Sequence, residues 1–262
     1  MPYAANGDVD LYYEADGEGS DGRDVGAVAV CGEIGYGPWQ WGWQHAAVAG
    51  PYRMIVPATR GTGDSDAPPG PYTVDRLASD LDAVLADAGV DAAHVVGVGL
   101  GGAVALRAAL DSGRIRRLAL VGTPASGDGL DPDPLWAEPG DPEALAASLR
   151  AALTDAFLDS QPDAVSRIVE WRAREDADRD AWEAARAALR GFDLSDRLYE
   201  VPNEALVIHG REDAVCPPAR GEELAAGLPR GEFHGVAGAG HLANVEANRA
   251  VNDRILWFFD AE

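Results

Sequence analysis

The order of apolar segments predicts an α/β protein with a mostly parallel central sheet and helices on both of its faces. Two observations lead to this fold class. Short apolar runs alternate along the chain with longer segments whose apolar residues recur at helical spacing. One run, residues 94–98, ends in a tight glycine turn that opens directly into a helix. Parallel neighbours need crossover connections, and helical crossovers cover the sheet.

Each element follows from a local pattern. Strands are predicted at the apolar runs 9–14, 25–31, 53–56, 94–98, 116–121, 205–208 and 232–236. Helices are predicted at 39–49, 73–88, 100–110, 218–228 and 245–259. The second of these helices has the clearest pattern, because Leu77, Leu81, Val84 and Leu85 fall on one face.

The alternation stops between about residues 130 and 196, where helical segments replace strands. Leu145, Leu149, Leu153 and Phe157 recur every four residues there, which is typical of an amphipathic helix. Alternation then resumes. We therefore expect a single domain over residues 1–262 with a helical insert at about 130–196.

Composition limits the partners of this protein. The chain of 262 residues has 44 acidic residues against 21 basic ones, all of them arginine, and a net charge of −23. Such a field repels nucleic acid and anionic membranes. Acid-rich, lysine-free surfaces resemble those of proteins from salt-in haloarchaea, and we interpret the charge as adaptation to salt. No apolar stretch reaches the ~20 residues of a membrane span. The chain lacks a signal peptide pattern and has two cysteines, so we expect a cytoplasmic protein.

The glycine turn at residues 97–102 is open to three interpretations. A strand, a tight turn and a helix form the context of the G-x-S-x-G nucleophile motif, but Gly99 stands where the serine should be. Gly97-x-Gly99-x-x-Gly102 also fits a dinucleotide fingerprint, which requires an acidic residue about 20 positions on. The next strand ends instead in Gly-Thr-Pro-Ala at 122–125, which disfavours a nucleotide cofactor. The third interpretation is a plain connection between strand and helix.

Taken together, the motifs resemble the α/β-hydrolase superfamily over nearly the whole chain. The resemblance rests on an ordered set of segments, namely Cys31-Gly32, the R-G-x-G-x-S-D loop at 60–66, the glycine turn, the insert, the strand and turn at 202–213, and Gly-Ala-Gly-His at 238–241. It implies that Asp213 and His241 are the acid and base of a catalytic triad whose nucleophile position, Gly99, is vacant. Cys31 also replaces the usual histidine of the family's H-G pair, and Ala58 stands where an aspartate is common.

The resemblance assigns chemistry to these residues. His241 would move protons, because imidazole titrates near neutral pH, and Asp213 would hold its tautomer. The N–H groups of Leu100 and Glu33 would form an oxyanion hole. The Glu33 side chain either faces solvent or points inward, where it would oppose an oxyanion, act as a further acid or base, or recognise a cation. Cys31 is a substitute nucleophile only if a cationic neighbour activates it, and a small buried residue is the favoured interpretation.

Aromatic residues follow the predicted oxyanion loop. Tyr36 and Trp39 would line a small-molecule pocket there, or else Trp39 and Trp43 form the buried face of a helix. The histidines show no metal-ligand spacing. We expect no metal and no cofactor, and no oligomeric state follows from the sequence.

Three functions remain open at this point. The first is serine-free acid/base catalysis on a small molecule, by a hydrolase, a lyase or a cofactor-independent oxygenase. The second is a binding protein that has kept the pocket without turnover. The third, disfavoured by residues 122–125, is a nucleotide-dependent oxidoreductase. The retained Asp213 and His241 favour the first.

Overall fold

A computed structural model describes residues 2–17 and 26–260. Within those residues eight strands form one sheet in the order β1-β2-β4-β3-β5-β6-β7-β8. The strands are β1 (Tyr3–Asn6), β2 (Val9–Asp16), β3 (Ala27–Cys31), β4 (Arg53–Pro57), β5 (Ala93–Val98), β6 (Ile115–Val121), β7 (Glu204–Gly210) and β8 (Gly231–Val236). Strands β1 and β2 pair antiparallel at one edge, and the other strands run parallel to one another. The predicted mostly parallel sheet is confirmed.

The helices cover the sheet in two groups. They are α1 (Gly42–Val48), α2 (Val74–Asp87), α3 (Leu100–Asp111), α4 (Pro142–Ala152), α5 (Asp155–Ser160), α6 (Pro162–Glu175), α7 (Arg179–Arg190), α8 (Pro218–Gly227), α9 (Ala243–Glu246) and α10 (Asn248–Asp260). The strand order reverses direction at β3, and crossovers are right-handed, so α1 lies on the face opposite to α2 and α3. Contacts between α1 and α10, and between α2 and α3, agree with this arrangement. The central strands β3 and β5 are therefore buried along their whole length.

Local structure departs from the sequence predictions at four places, one of which is the stripe of Leu145, Leu149, Leu153 and Phe157, divided between α4 and α5. Strand β1 was not predicted, although Gly7-Asp8 joins it to β2 as a two-residue turn with Gly7 at positive φ, which is a hairpin signal. The predicted helix at 39–49 is a 3-10 turn, Pro38–Trp41, followed by α1. The predicted last helix is divided into α9 and α10. The predicted start of β3 at Val25 lies outside the described residues.

Helices α4 to α7 lie between β6 and β7, where the sequence predicts the helical insert. Backbone hydrogen bonds join them to the loops at the carboxyl edge of the sheet. Gly63 donates to the carbonyl of Glu175 (2.7 Å), and Leu242 donates to that of Ala152 (3.0 Å). Within the described part of the chain, no helix has both the length and the apolar character that a membrane crossing requires.

Candidate active site

Gly99 begins the turn between β5 and α3, at the carboxyl edge of the sheet. Its backbone has φ +49° and ψ −110°, a conformation with positive φ. A side chain at positive φ is strained, and glycine adopts this conformation at little cost. The Gly99 amide donates to the carbonyl of Val121 at the end of β6 (3.0 Å), which anchors the turn to the neighbouring strand.

Asp213 and His241 meet below this turn. His241 lies on the loop after β8, and its Nδ1 is 2.8 Å from Oδ2 of Asp213, on the turn after β7. The other carboxylate oxygen of Asp213 accepts from the amides of Val215 (2.9 Å) and Cys216 (2.8 Å). The aspartate is therefore held by its own turn, and it orients the imidazole.

Glu33 completes this arrangement from the loop after β3. Its Oε2 is hydrogen-bonded to Nε2 of His241. Its Oε1 accepts from the amides of Ile34 (2.6 Å) and Leu100 (3.2 Å). The residue is only 1% exposed, so the solvent-facing alternative for Glu33 is wrong. An inward carboxylate is possible here because three donors compensate for its burial.

The same contacts correct the expected oxyanion hole. The amide of Glu33 donates to Oε1 of Gln40 (2.9 Å) and is not available to a ligand. The Leu100 amide has the predicted position, but its acceptor is the Glu33 carboxylate. Ile34 supplies the second donor. The two N–H groups thus converge on an oxygen of the protein itself.

Gly99 and Glu33 occupy one space between them. A Cβ atom built on Gly99 would overlap the carboxylate of Glu33, with Oε2 as its nearest neighbour. Any side chain at position 99 would therefore compete with the inward Glu33. The glycine at position 99 and the inward orientation of Glu33 therefore depend on each other.

Charge decides the protonation of the buried imidazole. Burial alone lowers the pKa of His241, but the charges and hydrogen bonds of Asp213 and Glu33 raise it to about 10. Burial likewise raises the pKa of Asp213, but His241 and the hydrogen bonds from His209 and Cys216 bring it well below its usual range. At neutral pH His241 is thus an imidazolium that directs one proton to each carboxylate, and in this arrangement it is a proton donor.

A narrow cavity of about 40 Å³ adjoins Glu33. Cys31 and Leu100 line it together with apolar side chains of α2, α3 and α7, and the buried ion pair between Arg60 and Asp80 (2.6 Å) lies at its wall. A space of this size holds only a few water molecules.

The remaining predicted site residues lie elsewhere or are inert. Burial raises the pKa of the Cys31 thiol to about 12, so it is a small buried residue and not an activated nucleophile. Tyr36 is buried under the guanidinium of Arg172, 4.5 Å from its ring centroid. Trp39 donates from its indole to Asp176 (2.7 Å) and lines a separate open cleft. Neither Tyr36 nor Trp39 lines the cavity at Glu33.

Sequence reasoning overlooked three contributors to the site: His209, Gln40 and Ile34. His209 Nε2 lies 3.1 Å from Oδ2 of Asp213, and its position four residues before Asp213 was the available signal. The roles of Gln40 and of the Ile34 amide had no local signal, because both depend on how the loop after β3 closes. No group of three His, Cys, Asp or Glu side chains in residues 2–17 and 26–260 is arranged to hold a metal ion.

Comparison with known proteins defines the class. A family model described as the alpha/beta hydrolase family matches residues 27–254. The chain therefore belongs to the alpha/beta hydrolase family, as its sheet order and the site at the carboxyl edge indicate.

Individual relatives are similar over almost the full chain. The Caulobacter segnis protein RutD, which carries the description of a carbamate hydrolase, is 30% identical and aligns with 97% of this chain and 98% of its own. A 2-hydroxy-6-oxo-6-phenylhexa-2,4-dienoate hydrolase of Burkholderia cepacia is 31% identical, with 86% and 85% coverage. The crystal structure of the enol-lactonase from Burkholderia xenovorans superposes with a TM-score of 0.88 at 28% identity, covering 99% of this chain and 100% of that one.

Proposed function

We propose that this protein is a serine-free enzyme of the alpha/beta hydrolase family that acts on a small molecule through proton transfer by His241. Asp213 orients the imidazole, and Gly99 is the vacant nucleophile position. The observation that carries the proposal is the unbroken hydrogen-bonded series Asp213–His241–Glu33, which ends where a side chain at position 99 would be. We also propose that residues 1–262 form one domain and that the insert at about 130–196 is a cap over this site.

Electrostatics supports a catalytic interpretation over pure binding. Keeping three ionisable side chains buried together is costly unless each is compensated, and a small-molecule pocket can be built without them. Strongly shifted pKa values at a buried, converging cluster are typical of active sites. A ligand-binding protein without turnover has no need of an imidazolium between two carboxylates.

The Glu33 carboxylate argues against two other reaction classes. A carbonyl substrate such as a carbamate or an enol lactone needs N–H donors for its oxyanion, and here the amides of Leu100 and Ile34 already bind Glu33. A dinucleotide would place its pyrophosphate at the start of α3, against the same buried carboxylate. These arguments favour chemistry in which Glu33 itself takes part.

The test is turnover of a panel of small esters, lactones, carbamates and epoxides by the wild type, His241→Ala and Asp213→Asn. We expect any activity to fall at least ~10²-fold in His241→Ala, the usual contribution of one positioned acid–base group. His45→Ala is the control and should retain full activity, because this half-buried residue of α1 pairs with Asp16 (3.2 Å) away from this site. Activity that survives His241→Ala would contradict the proposal. Binding without turnover, detected by thermal shift across the panel, would favour the binding protein.

We further propose that the acidic surface is of the haloarchaeal type and that the protein works in a salt-rich cytoplasm. The net charge of −23 creates repulsion that salt screens, since the Debye length falls to about 3 Å at 1 M. The melting temperature, followed by circular dichroism, should rise steeply from dilute buffer to molar KCl. A melting temperature that does not change with KCl would contradict the halophilic interpretation.

A further inference from the structure

We propose that Glu33 is the nucleophile of this enzyme, in place of the missing side chain at position 99, and that its substrate is a small epoxide. The inference rests on the proposed function, since it needs His241 as the proton carrier. It starts from the shared space of Gly99 and Glu33: the carboxylate lies where the side chain of residue 99 would be and is hydrogen-bonded to His241, and Glu33 also lines the cavity.

The two oxygens of Glu33 have different surroundings. Oε1 accepts from two backbone amides, those of Ile34 and Leu100. Oε2 faces Nε2 of His241, which carries a proton. Carboxylates are established nucleophiles that form ester intermediates, and such an ester has its own carbonyl oxygen that needs stabilisation when water attacks it. The amides are therefore placed for the carbonyl oxygen of a Glu33 ester.

This placement distinguishes between electrophiles. An acyl substrate would develop an oxyanion of its own, for which this site has no free pair of donors. A saturated carbon develops none. Its leaving group, however, must be accommodated, and the imidazolium beside Oε2 suits a strongly basic leaving oxygen that departs with a proton. A strained cyclic ether combines a saturated electrophilic carbon with such an oxygen.

In the first step Oε2 of Glu33 attacks a ring carbon of the epoxide. The ring C–O bond breaks, and its electron pair goes to the ring oxygen, which takes the proton from Nε2 of His241. The products are a hydroxyalkyl ester on Glu33 and a neutral imidazole. Esterification removes one of the two negative charges beside His241, so the imidazole stays neutral and is ready to act as a base.

In the second step His241 takes a proton from water, and the resulting hydroxide attacks Cδ of Glu33. The oxyanion on Oε1 is held by the amides of Leu100 and Ile34. The ester C–O bond then breaks, and the leaving alkoxide takes the proton from His241 and departs as a diol. The Glu33 carboxylic acid returns its proton to His241. The sum is epoxide plus water to diol, with no cofactor.

The cavity limits the size of the epoxide. Glu33 and Leu100 lie in its wall, and its other lining is mainly aliphatic, from Leu77, Leu81 and Val104 among others. The volume of about 40 Å³ suits a short alkyl group and not an aromatic one. Propylene oxide is therefore the probe.

The experiment is turnover of propylene oxide in water labelled with heavy oxygen, followed by mass spectrometry of the peptide that contains Glu33. We expect that peptide to gain heavy oxygen and the diol of the first turnover to carry unlabelled oxygen. In His241→Gln both steps lose their proton carrier, so neither diol nor an adduct of the protein should form. Glu33→Gln should lose activity by about 10³-fold or more. The matched control is Glu175→Gln, a half-buried glutamate that accepts from the Trp39 amide away from this site.

The outcomes separate the two proposals. Diol formation without label in Glu33 would overturn the covalent role while His241-dependent catalysis stands. His241-dependent turnover of other substrates, with none of propylene oxide, would overturn the epoxide assignment alone. Turnover that is independent of His241 would overturn the proposed function itself. Circular dichroism of Glu33→Gln distinguishes lost chemistry from lost folding, and the heavy-oxygen label in the wild type tests the nucleophile with Glu33 intact.

Discussion

Two of the buried histidines, His94 and His241, lie at opposite ends of the sheet and have opposite electrostatics. His94 lies at the amino end of β5 and stacks on Phe259, with ring centroids 4.4 Å apart. Burial lowers its pKa to about 4, and the charges of Arg116 and Arg117 act in the same direction. At the carboxyl edge His241 is buried even more deeply, yet its two carboxylates raise its pKa to about 10. Burial alone therefore does not decide the charge of a histidine here; the sign of the neighbouring groups does.

The comparison gives opposite pH dependences. His241 has a folded pKa above its unfolded value of about 6.5, so its stabilisation is complete below about pH 6.5 and is lost as the pH rises through about 10. His94 has a folded pKa below that value. The folded protein therefore loses stability as the pH falls from about 6.5 towards 4, where the unfolded chain takes up a proton that the folded chain does not.

Gly99→Ser should have the largest effect on the free energy of unfolding, because the new side chain directly disturbs the cluster of Glu33, His241 and Asp213 at the carboxyl edge of the sheet. The new side chain overlaps Glu33 at a positive φ, and we expect the free energy of unfolding to fall by about 3 kcal/mol. Urea unfolding measures this loss. Gly89→Ser is the control, since Gly89 also has a positive φ but no neighbour within 4 Å of its Cβ position.

The double variant Gly99→Ser/Glu33→Ala sharpens this test. Removing the carboxylate clears the space and frees the amides of Leu100 and Ile34, so the double variant should recover stability relative to Gly99→Ser. It should also hydrolyse p-nitrophenyl acetate, which Gly99→Ser alone should not. Equal stability of the single and double variants would mean that the two positions are not coupled.

Glu33→Gln should have the second largest effect on the free energy of unfolding, and this effect should appear at alkaline pH. The change keeps the volume but removes one of the charges that raise the pKa of His241, so this pKa should fall. The decline in unfolding free energy between about pH 7 and 10 should shrink by on the order of 1 to 2 kcal/mol. Nitrogen NMR of the His241 ring measures the pKa, and urea unfolding measures the stability. An unchanged His241 titration would contradict the assigned role of Glu33.

His94→Phe should have the smallest effect on the free energy of unfolding, and this effect should appear at acidic pH. Phenylalanine keeps the stacking on Phe259, and Nδ1 of His94 has no hydrogen-bond partner in the described structure that could be lost. The variant should lose less stability than the wild type on going from about pH 7 to 5, by on the order of 1 kcal/mol. His45→Gln, which removes a half-buried histidine on α1, is the control and should leave the loss of stability between about pH 7 and 5 unchanged. If His94→Phe loses as much stability as the wild type between about pH 7 and 5, groups other than His94 control the loss of stability in acid.

Much of the fold follows from patterns within short stretches of sequence. Seven of the eight strands in the described residues match predicted apolar runs to within a few positions, because a buried parallel strand needs a nearly continuous apolar segment. Strand β1 was missed because four residues are too short a segment to show a repeating apolar pattern. The predicted helix at 39–49 was longer than α1 because aromatic spacing does not reveal where a 3-10 turn replaces the α-helix.

The residues of the site also fall into those that the sequence could predict and those that it could not. The resemblance to the α/β-hydrolase superfamily, carried by the order of the glycine turn, Asp213 and His241 along the chain, predicted that they meet at the edge where parallel strands end. The direction of the Glu33 side chain could not be read from its neighbours in sequence. It depends on a hydrogen-bond donor 67 residues away at Leu100, on an imidazole 208 residues away, and on the space left by Gly99. A carboxylate is stable in the interior only when such distant donors converge on it, so its orientation, and the charge of His241 with it, arise from packing and not from local pattern.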